Sequence, residues 1–252
     1  MRRSIAGRLE VVLVEDAVPA ARILAREIAE LVRGRGERTV VLGLAAGRTP
    51  VPLYRELVRM RHEEGLALDE ATLVQLDEYL ELPAGHPASF SSFLRRELLE
   101  PAGIPAERLI APPCDAAEGE RELACAAIEH AIRAAGGIDL QILGIGLNGH
   151  LGFNEPGSHR DSRTRVVELD EETRRHAARD FGSIEDVPRK AITLGLGTIL
   201  DARRVRALAF GAEKADVVHR MLGEDVGPAL PASFLREHGD AMLVVDGDAA
   251  PW

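Results

Sequence analysis

Short apolar runs alternate with amphipathic stretches along most of the chain, and this alternation limits the fold more than any other feature. Strands are predicted at 9–14, 39–44, 72–76, 140–145, 205–210 and 241–245, with a weaker one at 108–111. Helices are predicted at 18–32, 51–62, 90–99, 118–135 and 214–222. This order predicts an α/β fold, with a doubly wound, mostly parallel, Rossmann-like sheet and helices on both faces.

The segment 161–190 interrupts the alternation, because it is rich in charge and poor in long apolar runs. We expect one domain over 1–252 in which this segment forms a small lid. A pair of solvated helices fits the composition equally well.

Composition excludes several classes of function. The net charge of −10 argues against nonspecific nucleic-acid binding, which needs a basic surface. The chain has neither an apolar run that could span a bilayer nor a signal peptide, so we expect no membrane association and a cytoplasmic protein. Cys114 and Cys125 lack zinc-site spacing and are expected to be free thiols, and the histidines other than His150 show no metal spacing and are expected at the surface or in caps.

Ligands of parallel sheets bind at the carboxyl ends of the strands, so polar residues that follow strands are the first candidates for chemistry. Gly47, Arg48 and Thr49 follow one strand and precede a helix that Pro50 suits, which is the pattern of a phosphate-binding loop. An ordinary strand–helix turn fits this segment equally well. Lys214 opens another helix, where an anionic ligand would offset its unfavourable position in the helix dipole.

Two other strand ends carry acid–base groups. Asp77 and Glu78 directly follow a strand, and neighbouring carboxylates raise each other's pKa and can prepare a base. A plain polar strand end is the alternative. His150 lies in a glycine-rich loop with Asn148, and Glu155 is close enough along the chain to hold its imidazole in one tautomer.

These segments together resemble the glucosamine-6-phosphate deaminase family over nearly the whole chain. The most specific matches are Leu-Asp-Glu-Tyr at 76–79, Asn-Gly-His at 148–150 and Phe-Asn-Glu-Pro-Gly at 153–157. The resemblance implies conversion of glucosamine 6-phosphate to fructose 6-phosphate and ammonia, with no metal or organic cofactor. It implies that Asp77 moves a proton from C2 to C1 of the open-chain sugar, that His150 assists ring opening, and that Glu155 orients His150.

The resemblance also implies that Arg179, in the lid, and Lys214 bind the phosphate together with the backbone of Gly47, Arg48 and Thr49. The chain departs from the family pattern at three positions. Asn148 replaces an aspartate and cannot ionise, Arg48 replaces a small residue, and Val167 replaces the lysine of allosterically activated members. We therefore expect no activation by N-acetylglucosamine 6-phosphate, and a rate increase with that ligand at subsaturating substrate would contradict this.

Three other functions stay open. A galactosamine-6-phosphate deaminase differs only in the C4 epimer of its substrate. A 6-phosphogluconolactonase shares the fold but lacks the Asn-Glu-Pro segment, and a sugar-phosphate sensor would usually carry a DNA-binding unit for which no residues remain. The sequence is compatible with a monomer and with homo-oligomers up to a hexamer.

Overall fold

The computed structural model describes residues 2–36 and 38–250. The strands are β1 (Arg2–Ala6), β2 (Leu9–Leu13), β3 (Val41–Leu44), β4 (Thr72–Gln75), β5 (Asp77–Tyr79), β6 (Leu109–Ile110), β7 (Leu140–Gly144), β8 (Arg165–Glu168), β9 (Lys190–Thr193), β10 (Val205–Ala209) and β11 (Ala241–Val245). The helices are α1 (Ala17–Gly34), α2 (Val51–Glu64), α3 (Phe90–Leu94), α4 (Glu100–Ala102), α5 (Arg121–Ala134), α6 (Glu171–Phe181), α7 (Leu196–Leu200) and α8 (Ala215–Gly223). A π-helical stretch, Arg95–Leu99, joins α3 to α4.

Eight strands form the main sheet in the order β1-β2-β11-β10-β7-β3-β4-β6. Every neighbouring pair is parallel except β1 with β2, which is antiparallel. The chain winds outward from the centre in both directions, so the strand order reverses between β3 and β7. The predicted doubly wound, mostly parallel fold is confirmed. Strand β1 was not predicted, because its apolar residue Ile5 is 79% exposed and the strand depends on pairing with β2.

Helices cover both faces of this sheet. Consecutive residues of β3 point to opposite sides, so Val41 packs in one hydrophobic cluster and Leu42 in the other. Helices α1 and α2 cover the face of Leu42, whereas α5, α7 and α8 cover the face of Val41. Burial on both sides explains why the central strands are almost continuously apolar.

A second sheet of three antiparallel strands, in the order β5-β9-β8, lies beside the main one. It was not predicted, because its strands are short and β5 pairs with β9 across more than a hundred residues of chain. Its core is a third hydrophobic cluster that includes Tyr79, Phe153 and Val187, with Phe181 of α6 packed against it. The segment 161–190 contains β8 and the single helix α6, so the alternative of a solvated helix pair is wrong.

Within residues 2–36 and 38–250, the helices are too short or too polar to cross a bilayer. The same residues contain no cluster of three or more histidine, cysteine, aspartate or glutamate side chains suited to hold a metal ion. Cys114 and Cys125 are both free thiols, as expected.

Candidate active site

A cavity of about 430 Å³ opens at the carboxyl ends of β3, β4 and β7, where the strand order reverses. This is the position at which open α/β sheets bind ligands. The predicted residues that line it are Gly47, Arg48, Thr49, Asp77, Asn148, His150, Arg179 and Lys214. Glu155 lies behind His150 and contacts it directly. The structure therefore brings every predicted site residue to one place.

The loop after β3 forms one wall of the cavity. Gly47 has a φ of 103°, a conformation that side-chain-bearing residues rarely adopt, and α2 begins at Val51 just beyond it. The exposed guanidinium of Arg48 lies 3.7 Å from the carboxylate of Asp180 on α6. Arg48 thus links this loop to α6 across the mouth of the cavity.

Asp77 supplies a buried carboxyl at the floor of the cavity, where it is only 5% exposed. Burial, and then the negative charge of Glu78, raise the pKa of Asp77 well above its usual value. Glu78 therefore acts on Asp77 in the direction that the adjacent carboxylates predicted. A carboxyl held in this way is a strong base once it is ionised.

Glu78 itself has a structural role. Its carboxylate accepts hydrogen bonds from the backbone N–H groups of Tyr79, Phe90 and Ser91 and from the side chain of Gln75, at 2.8–3.1 Å. Phe90 and Ser91 form the first turn of α3, so Glu78 caps that helix. Its negative charge also interacts favourably with the positive, N-terminal end of the helix dipole. Adjacent carboxylates thus point in different directions, one into the cavity and one into the fold.

The loop after β7 holds His150 against Glu155. Nδ1 of His150 lies 3.2 Å from Oε2 of Glu155. A Cβ atom at Gly146 would lie 2.4 Å from the imidazole, so a glycine there lets the ring rest on the backbone. The side-chain amide of Asn148 donates to Oε2 of Glu155 at 2.8 Å, while its Oδ1 accepts the backbone N–H of His150 at 3.1 Å. The side-chain amide of Asn148 therefore hydrogen-bonds to both His150 and Glu155 and holds them in position.

Glu155 is an ionised partner for this imidazole. Burial acts to raise the pKa of its carboxyl, but hydrogen bonds from His150, Thr173 and Asn148 and the charge of His150 outweigh burial and hold the pKa below its usual value. A carboxylate in this state fixes the imidazole orientation and stabilises its protonated form.

The basic side chains of Lys214 and Arg179 both face the cavity, from two different parts of the chain. Lys214 lies in the turn that precedes α8, and Arg179 lies in the last turn of α6. Burial lowers the pKa of Lys214, the charge of Arg179 lowers it further, and Glu213 opposes both effects. Two cations that repel each other in this way favour an anion between them.

Sequence reasoning missed several residues of the cavity wall. His176 is exposed, as expected, but it faces the cavity from α6 together with Glu172 and Thr173. Tyr79, Phe90 and Phe153 form an aromatic wall, with ring centroids 4.8–5.8 Å apart. Helical periodicity at 171–181 could have indicated one face of α6, but no local signal places that face over the cavity.

The chain belongs to the family of glucosamine-6-phosphate isomerases and 6-phosphogluconolactonases, whose model matches residues 15–244. It is an enzyme of that family. A glucosamine-6-phosphate deaminase of Streptomyces coelicolor is 45% identical over 243 residues, which cover 96% of this chain and 92% of that one. One of Clostridium perfringens is 40% identical over 96% of this chain and 98% of its own.

Solved structures agree with this assignment. A monomeric glucosamine-6-phosphate deaminase superposes with a TM-score of 0.90 at 37% identity, over 95% of this chain and 98% of that one. A 6-phosphogluconolactonase from Trypanosoma cruzi has a TM-score of 0.76 at 20% identity, over 99% of this chain and 98% of its own, which shows a shared fold.

Proposed function

We propose that this enzyme converts glucosamine 6-phosphate and water to fructose 6-phosphate and ammonia. The observation that carries the proposal is the convergence of a buried acid, Asp77, and the His150–Glu155 pair on one cavity that two cationic side chains also line. The deaminases at 40–45% identity over nearly the whole chain support the same reaction.

The phosphate binds at the end of the cavity formed by the loop after β3. Gly47, Arg48 and Thr49 line the cavity just before α2. Their backbone N–H groups would bind the phosphate there, where the helix dipole favours an anion. Arg179 and Lys214 supply charge-assisted hydrogen bonds. The exposed side chain of Arg48 pairs with Asp180 of α6 beside this end of the cavity.

His150 catalyses the opening of the sugar ring. In this step the anomeric hydroxyl gives up its proton, the bond between C1 and the ring oxygen breaks, and the ring oxygen receives a proton. A neutral imidazole can take the first proton and return one to the ring oxygen through the same nitrogen. Glu155 stabilises the intermediate imidazolium, because its carboxylate is ionised and lies 3.2 Å from Nδ1.

Asp77 carries the proton in the isomerisation. It removes the proton from C2 of the open-chain sugar and returns it to C1. In the same isomerisation the carbonyl oxygen at C1 gains a proton and the amino group at C2 loses one, which leaves an alcohol at C1 and an imine at C2. Water adds to that imine, and ammonia leaves to give the ketone. The ammonium group of the substrate also suits this site, because a cation close to Asp77 favours the ionised carboxylate that the step requires.

We also propose that 161–190 acts as a lid. Helix α6 contributes His176, Ala177 and Arg179 to the wall of the cavity, so movement of this helix would open the phosphate site. The oligomeric state of this chain stays a prediction that ranges from a monomer to a hexamer, and the structural relative at 37% identity is described as monomeric.

Ammonia release from glucosamine 6-phosphate, measured in parallel with galactosamine 6-phosphate, tests the function. We expect release from the glucosamine ester, with a higher kcat/KM than from its C4 epimer. Preference for the epimer would reassign the substrate. Release from neither, together with hydrolysis of 6-phosphogluconolactone, would replace the deaminase by a lactonase, and binding without turnover of any of them would indicate a sensor.

A further inference from the structure

Helix α6 contacts the proposed ring-opening pair through Thr173. The Thr173 hydroxyl donates a 2.6 Å hydrogen bond to Oε1 of Glu155, and the residue is only 9% exposed. The other oxygen, Oε2, accepts from Asn148 and faces Nδ1 of His150. One oxygen of Glu155 therefore contacts α6, and the other contacts the loop that carries His150.

Contacts along helix α6 hold Thr173 beside Glu155 while the helix lies over the cavity. The Asp170 side chain caps its first turn by accepting the backbone N–H of Glu172 at 2.8 Å. The guanidinium of Arg174 donates to the carbonyl of Ile184 at 2.7 Å, which anchors the helix to the following loop. At the other end, the ring of Phe181 packs edge-on against Tyr79 with centroids 5.1 Å apart.

We infer that Thr173 is a positioning residue, which sets the rotation of the Glu155 carboxylate so that Oε2 stays directed at His150. A carboxylate held at one oxygen by Asn148 and at the other by Thr173 cannot turn away from the imidazole without losing a hydrogen bond. This inference rests on the proposed function, because it takes His150 and Glu155 as the ring-opening pair.

The same helix carries the proposed phosphate ligand Arg179. Arg179 lies six positions after Thr173, which is about 9 Å along a helix axis. A substrate phosphate that binds Arg179 therefore holds the helix whose first turn orients Glu155. In this arrangement the acid–base chemistry depends on α6 being in place over the substrate.

The substitution Thr173→Val tests the inference, because it removes the hydroxyl and keeps the shape of the side chain. We expect kcat for ammonia release to fall about tenfold, the loss of one hydrogen bond to a charged group. KM should stay nearly unchanged, since Thr173 is not assigned to the phosphate. Thr173→Ser, which keeps the hydroxyl, should restore most of the lost kcat.

Thr198→Val is the matched control. Thr198 also donates its hydroxyl to a buried carboxylate, that of Glu129, but it lies away from the catalytic cavity. Thr198→Val should lower the melting temperature and leave kcat unchanged. Thr173→Ala provides a second variant without the hydroxyl if Thr173→Val does not fold.

Three results would overturn the inference: an unchanged kcat in the folded Thr173 variant without the hydroxyl, an effect on KM alone, or failure of Thr173→Ser to restore activity. An equal fall in kcat in Thr198→Val would also overturn the inference, because it would show that general destabilisation causes the loss of activity. The wild-type assay separates these results from failure of the proposed function, since an inactive wild-type enzyme contradicts the function and leaves no kcat to compare.

Discussion

Asp77 at the tip of β5 and Glu155 in the loop after β7 are both largely buried carboxyls at one cavity, yet their pKa values move in opposite directions. The pKa of Asp77 is raised by burial and by Glu78, whereas that of Glu155 is lowered. Within residues 2–36 and 38–250, the Asp77 carboxylate receives no hydrogen bond, but that of Glu155 receives bonds from Asn148 and Thr173 and faces His150.

The difference shows that hydrogen bonding decides whether the pKa of a buried carboxyl rises or falls. Asp77 has a high affinity for a proton, as a group that must accept one from carbon requires. Glu155 has a low affinity and can stabilise a neighbouring charge without taking the proton. Each carboxyl is thus suited to the role proposed for it by its immediate partners.

The largest expected effect is the loss of turnover in Asp77→Asn. An amide cannot accept the C2 proton, so kcat should fall about a thousandfold, within the range for general acid–base groups. Titration with fructose 6-phosphate should give a dissociation constant close to that of the wild type, because the phosphate site is intact. Asp139→Asn changes a buried aspartate that pairs with Arg38 away from the cavity and serves as the control. More than a few per cent residual activity in Asp77→Asn would remove Asp77 from its role.

Glu155→Gln should have a smaller effect on the same assay. It removes the charge beside the imidazole but leaves His150 in the cavity, so we expect kcat to fall about a hundredfold. KM should change little. A wild-type kcat in Glu155→Gln, or a fall in kcat as large as that of Asp77→Asn, would contradict the different roles proposed for the two carboxyls.

Lys214→Ala distinguishes binding from chemistry. Loss of a charge-assisted contact to phosphate should raise KM about tenfold or more, with a much smaller effect on kcat. Lys190→Ala is the matched control, since Lys190 lies 3.7 Å from Glu118 and does not line the cavity. An unchanged KM in Lys214→Ala would show that Lys214 does not contact the phosphate.

The smallest expected effects are those on stability. Replacing Asp77 and replacing Glu155 should change the melting temperature in opposite directions. The folded pKa of Asp77 is raised, so its contribution to stability is complete below the ordinary aspartate pKa of about 3.9 and is lost as the pH rises through the folded value. Asp77→Asn cannot ionise and should therefore melt at a higher temperature than the wild type at neutral pH. This gain should vanish in acid.

The folded pKa of Glu155 is lowered, so its contribution is present above the ordinary glutamate pKa of about 4.3 and is lost as the pH falls through the folded value. Glu155→Gln should melt at a lower temperature than the wild type at neutral pH, with a smaller deficit in acid. Each kcal/mol should shift the melting temperature by about 2–4 °C in a chain of this size. Shifts of the same sign in thermal denaturation of the two variants would contradict the pKa directions.

The sequence by itself determined the main sheet, apart from its edge strand β1, and the edge at which ligands bind. Burial on both faces makes the central strands apolar runs within a short window, and the polar or glycine-rich segments that follow β3, β4 and β7 stand out against them. For this reason Asp77, His150 and the loop at Gly47 could be found before their arrangement was known. The contact of Glu155 with His150 was also predictable, because Glu155 lies only five positions after His150 in a tight loop.

Only the tertiary structure decided what surrounds these groups. Strand β5 exists through its pairing with β9, more than a hundred residues away, and short strands leave no periodicity of their own. The placement of α6 brings Thr173 to Glu155 and His176 to the cavity, although the sequence around them suggests only a charged, exposed helix. The sequence pattern records which side of an element is buried, but it does not record which distant element lies against that side. The opposite pKa shifts of the two carboxyls depend on those distant partners.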